Sequence, residues 1–133
     1  MPNLLQTAAE LGKMLDTGIA GSLPIAIENI PYDEVEGQSY IRTLFIPYSS
    51  NNVTIGRTRR VRTNGDFQIR IRAAIDKGIG EAYSLADSIK LYMENQNPLP
   101  NLFTYTMSVR RIGEGSDGWY NLICDLEFTT DDT

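Results

Sequence analysis

The sequence predicts a single α+β domain: a mostly antiparallel sheet of about five strands with two main helices packed on one face. Three observations carry that expectation. Two segments repeat apolar residues at helical spacing. Five short segments rich in β-branched and aromatic residues are bounded by Gly, Pro and Asn. Their order is helix, three strands, helix, two strands, and strands grouped in hairpins point to α+β rather than to alternating α/β units. The length of 133 residues suits one domain spanning 1–133. A chain of that size buries about two-thirds of its unfolded surface, enough for a core without staples.

In the first helix Leu4, Ala8, Leu11 and Leu15 share a face, and Asn3 with Gln6 resembles a capping box. Gly18, Gly21 and Pro24 end it. Residues 25–30 lie between Pro24 and Pro31 and read as a strand. An acidic connector, 32–39, leads to a second strand over 40–46, closed by Pro47. Ser49 to Asn52 has turn composition, and 47–64 is expected to be a mobile loop or arm. The third strand follows Asn64-Gly65. Its alternation puts Phe67, Ile69, Ile71 and Ala73 on the core face and Gln68, Arg70 and Arg72 on the other.

Asp76 to Gly80 turns into the second helix, where Ala82, Leu85, Ala86, Ile89 and Met93 form an apolar stripe. Pro98 and Pro100 lie beyond its end. In the fourth strand Phe103, Tyr105, Met107 and Val109 alternate with Thr104, Thr106, Ser108 and Arg110. In the fifth, Tyr120, Leu122, Cys124, Leu126 and Phe128 alternate with Asn121, Ile123, Asp125 and Glu127. The Gly-rich stretch 113–118 joins the two as a hairpin loop, and the polar residues 129–133 are expected to fray.

Composition narrows the chemistry. The chain has no His, which excludes Ser–His–Asp and Cys–His catalysis and imidazole metal ligation. Its one cysteine, Cys124, excludes an intrachain disulfide and a multi-thiolate zinc site. Cys124 alternates with leucines and reads as a small buried hydrophobe. Gly78-Ile79-Gly80 opens a helix, but Tyr83 stands where a dinucleotide fingerprint needs Gly, so it reads as a turn. Asp33, Glu34 and Glu36 lack the spacing of a calcium loop and read as a solvated acidic segment. Trp119 reads as packing over a sheet edge. No catalytic residue, metal or cofactor is expected, and no enzymatic activity. The N-terminal residues lack the basic and apolar regions of a signal peptide, so a cytoplasmic site of synthesis is expected.

Charge is unevenly placed. The formal net charge is −5, from 12 basic and 17 acidic residues. Arg57, Arg59, Arg60, Arg62, Arg70 and Arg72 nevertheless fall in one short stretch, with Asp66 its only acid. Guanidinium groups so placed could dock on carboxylates of another subunit or contact nucleic-acid phosphates. They could equally be a solvated strand face. Overall acidity weighs against general phosphate affinity and favours the subunit contact.

The order of elements carries a resemblance. Ile27-Glu28-Asn29, Tyr32, Gly37-Gln38-Ser39-Tyr40-Ile41, Gly65-Asp66-Phe67-Gln68-Ile69, Gly78-Ile79-Gly80-Glu81-Ala82 and Leu85-Ala86-Asp87-Ser88-Ile89, closed by a Trp-started strand, resemble the tail terminator (tail completion) proteins of long-tailed bacteriophages. The resemblance runs from about residue 4 to residue 128. It implies a structural protein of the virion that caps the head-proximal end of the tail tube. That cap is a self-associated ring, usually hexameric, which ends tube polymerisation and joins the neck. Its implied partners are itself, the tube protein and a neck or head-completion protein, with DNA passing through the lumen unbound. The six arginines would then be subunit- or tube-facing, and Asp33, Glu34 and Glu36 a complementary patch or lumen lining. Another neck or tail-tube component of related fold, or a nucleic-acid-binding module using Arg57 to Arg72, is the alternative.

Overall fold

The computed structural model of the chain describes residues 4–19, 24–26, 39–52, 61–74, 78–114 and 119–132. Five strands stand in the order β1-β2-β3-β5-β4, where β1 is Ile25–Ala26, β2 Tyr40–Asn52, β3 Val61–Ala74, β4 Leu102–Glu114 and β5 Trp119–Asp132. Neighbours pair antiparallel except β1, which runs parallel to β2 with Ile25 opposite Ile41. Two helices, α1 (Leu4–Gly18) and α2 (Gly78–Met93), pack on one face. This is the α+β architecture that the sequence predicts.

The apolar stripe of α2 is buried as its spacing requires: Ala82, Ala86, Ile89 and Met93 are inaccessible and Leu85 is half-buried. They meet Ile69, Ile71, Leu122, Leu126 and Phe128 of the sheet in one core. In α1 the buried face is Thr7, Leu11, Met14 and Leu15. Leu4, expected on that face, is half exposed, and Thr7 takes the inner position, its hydroxyl 3.4 Å from that of Thr130 on β5. Asn3, and the part of the first expected strand beyond Ala26, lie outside the described residues. Among those described, no helix is long and apolar enough to cross a membrane.

α2 ends at Met93, and two residues on Asn95, with a φ of 56°, takes the left-handed conformation that closes helices. The next residues are tied to β4. The Thr104 hydroxyl donates to the Met93 carbonyl at 2.6 Å and accepts from the Gln96 N–H at 2.8 Å. This anchor corrects the alternation read for the fourth strand. Thr104 pairs with Phe128 but Met107 pairs with Leu126, so two residues of β4 oppose one of β5. The bulge reverses which side chains point inward. Leu102 and Thr104 are buried, while Phe103 and Tyr105 are 39% and 42% exposed.

Pro47 does not close β2. It sits opposite Gly65, the register then shifts so that Ser49 opposes Asn64, and pairing continues to Asn52 opposite Val61. A residue without an N–H is tolerated at such a bulge. The described ends of the segment expected to be a mobile arm, 47–52 and 61–64, are therefore paired strand; residues 53–60 lie outside the described residues. Of the terminal residues expected to fray, 129–132 are also strand, and Thr133 lies outside the described residues. β5 pairs along Val61 to Asn64, and Thr129, Thr130 and Asp131 are buried. Polarity there serves specific bonds: Thr129 donates to Asn64 at 2.9 Å, and Asp131 accepts two hydrogen bonds from the Arg62 guanidinium at 2.8 and 3.1 Å.

Candidate functional site

Because both helices cover one face of the sheet, the alternating residues of β2–β5 on the other face form a broad open surface. Strand register sorts its charges into rows. One row crosses four strands as Arg42, Arg70, Ile123 and Arg110. The next holds Leu44, Gln68, Asp125 and Ser108. A third holds Ile46, Asp66 and Glu127. The arginine and acid rows are about 13 Å apart, at the ordinary strand rise.

Hydrogen bonds knit the middle row. The Asp125 carboxylate accepts from Gln68 at 3.1 Å and from Arg110 at 3.0 Å, while the Gln68 carbonyl accepts from Arg70 at 3.0 Å. Arg42 and Arg70 stand directly opposite each other, an arrangement that destabilises a sheet unless an anion lies near. With Arg72, Ile112 and Asn121 they border a shallow cleft of about 300 Å³.

Arg72 does a different task. Its guanidinium lies 5.5 Å from the centre of the Tyr40 ring and 5.9 Å from that of Trp119. The two rings meet edge to face at 5.4 Å and form a second small buried cluster with Ala26 and Ala74. Trp119 is 5% exposed, which fits packing rather than a stacking platform for a ligand.

The acid row carries a measurable imbalance. Partial burial, with the neighbouring carboxylates of Asp125 and Glu127, raises the pKa of Asp66 above its ordinary value. A folded-state pKa above the unfolded one means the folded chain binds more protons in the interval between them, so stability falls as pH rises through it. Asp66→Asn is therefore expected to stabilise the protein at pH 7 by about 0.5 kcal/mol, given its partial exposure. The gain should vanish below about pH 4. Urea denaturation at both pH values checks this; an equal gain at both would show that charge is not its origin.

The sequence-predicted site residues fare differently. Arg70 and Arg72 face away from the core, as the alternation requires, and Arg70 is exposed. Arg62 is bonded to Asp131 within the chain. Arg57, Arg59 and Arg60, and the acids Asp33, Glu34 and Glu36, lie outside the described residues. Sequence reading missed Arg42 and Arg110, which complete the arginine row, and the grouping of Asp66 with Asp125 and Glu127. The strand alternation was visible for each; what was not visible is that β3 pairs with β5, with Arg70 opposite Ile123 and Asp66 opposite Glu127.

Cys124 lies in the core, and burial pushes its thiol up to about 12, so it stays protonated and unreactive in the folded chain. Among the described residues no group of His, Cys, Asp and Glu is placed to hold a metal ion. The open face is suited to electrostatic docking of another macromolecular surface.

The family model described as phage tail terminator protein matches residues 6–121. No curated protein matches the chain. One solved structure is similar over 96% of this chain and 93% of its own, with a TM-score of 0.66 and 20% identity, a likeness that speaks to the fold alone.

Proposed function

The chain belongs to the phage tail terminator family, and from that premise we propose that it caps the head-proximal end of a tail tube as a closed ring, ends tube polymerisation and forms the joint to the neck. The family itself is structural, a component of the phage tail. The family match over most of the chain is the observation that carries the reading. The physical chemistry is compatible with it. A ring closes when each subunit offers two different surfaces related by a rotation that returns to its start. A conduit for DNA must not retain phosphate, and a chain of net charge −5 repels it.

The mechanism is one of shape and charge. One ring face matches the tube end and occupies the surface on which the next tube subunit would add. The other face presents the neck with a different surface. No bond is made or broken, and the specificity lies in which surfaces are complementary. Adding the purified protein to polymerising tube subunits tests the reading. The expected result is arrest of tube growth at one end with the protein bound there; tubes that lengthen unchanged in its presence would contradict it.

A further inference from the structure

We propose that the arginine row of the open sheet face seats on the outer stripe of α2 of a second copy of this chain, and that this contact closes the ring. The proposal rests on the ring reading given above. It says which two surfaces meet.

The sheet surface presents positive charge and apolar area together. Arg42 opposes Arg70, Arg110 lies one strand beyond Ile123, and Ile112 at the cleft edge is 55% exposed. Among the described residues the acids of this face are partly committed: Asp125 already accepts from both Gln68 and Arg110, and Asp66 and Glu127 stand two rows away.

The helical layer presents the complement. Asp87 and Leu91 lie one turn apart on the side of α2 away from the core, while Tyr83, a turn earlier, sits on its flank with its hydroxyl 3.4 Å from that of the core residue Tyr120. Leu91 is 84% exposed, and the adjoining Tyr92 is 44% exposed. The two helices carry Glu10, Asp16, Glu81 and Asp87 against Lys13 and Lys90, and Lys90 is bonded to Glu94 at 3.4 Å. An aspartate with an exposed leucine one turn on suits guanidinium forks whose apolar stems lie on that side chain.

Symmetry selects this pairing over the simplest rival. The open face has an acid row as well as an arginine row, so it could dock on its own copy. That contact is a two-fold, which ends at a dimer and closes no larger ring. Sheet face and helical layer lie on opposite sides of the chain, so their contact runs head to tail.

The test is a charge exchange. Arg70→Glu and Asp87→Arg, both at exposed positions, are each expected to weaken ring assembly at least ~10-fold with the circular-dichroism spectrum of the folded chain retained. The variant carrying both changes is expected to regain assembly, because the exchanged charges meet again across every interface. Native mass spectrometry of each variant, alone and with isolated tail tubes, reads the result. Wild-type rings unaffected by either change, or singly weakened rings that the double change leaves weak, would overturn this interface and leave the ring reading standing. Assembly that stops at a dimer would overturn it in favour of the two-fold. Wild-type protein that neither forms rings nor caps tubes would overturn both.

Discussion

Phe128→Ala is expected to lower the unfolding free energy by about 4 kcal/mol. Phe128 is 1% exposed and stacks on Phe45 with ring centres 5.1 Å apart and planes 18° from parallel. It stands opposite Gly65 on one side and Thr104 on the other, so it joins β3 to β4 through β5. Truncation removes both the buried area and the ring contact, and the paired backbone on either side limits collapse of the cavity. Urea denaturation reads the change as a lower midpoint at constant slope, and the thermal midpoint should fall by roughly 15 °C. A loss below about 1 kcal/mol would show that the neighbouring chain fills the space readily.

Gly65→Ala is expected to destabilise by about 3 kcal/mol. Ordinary strand propensity predicts the opposite sign, since alanine is favoured over glycine in a strand interior by about 0.5–1 kcal/mol. Geometry decides it. A Cβ at Gly65 would lie 2.6 Å from the Ile46 carbonyl oxygen and 2.7 and 2.9 Å from the edge of the Phe128 ring. The first obstacle is backbone and yields only if β2 and β3 separate beside the Pro47 bulge. The second disappears in a Phe128→Ala background, so the two changes should be non-additive by about 1 kcal/mol. The double-mutant cycle measures that coupling directly. A neutral or stabilising Gly65→Ala would mean that the two strands are free to part there.

These two residues show how far the sequence could be read. Alternation placed Phe128 on the core face of its strand, and helical spacing placed Ala82, Ala86, Ile89 and Met93 beneath α2, because each pattern is a local consequence of backbone geometry. That Gly65 must lack a side chain was not legible, since its obstacles come from Ile46 and Phe128 on the two neighbouring strands, brought beside it only by pairing. The same limit explains the fourth strand. Thr104 is drawn inward by the carbonyl that ends α2, a partner that no alternation rule contains. It explains residues 129–132 too, whose polarity reads as a loose end until Arg62 and Asn64 are seen beside them.

The site was legible in kind and incomplete in detail. An arginine-dense stretch in an acidic chain pointed to a charged surface, and Arg70 is exposed on the face of the sheet away from the helices. The stretch does not act as a unit, however. Arg62 is bonded to Asp131, Arg72 lies over the Tyr40 and Trp119 rings, and Arg70 shares its row with arginines from β2 and β4. Strand pairing, rather than sequence neighbourhood, assembles the surface.

Electron microscopy of the protein mixed with tail tubes tests the central claim most directly. A ring seated on one end of each tube, with the same ring or its precursor formed by the protein alone, is the result expected of a chain that ends tube growth and joins the neck. Tubes with bare ends beside protein that remains strictly monomeric would contradict it.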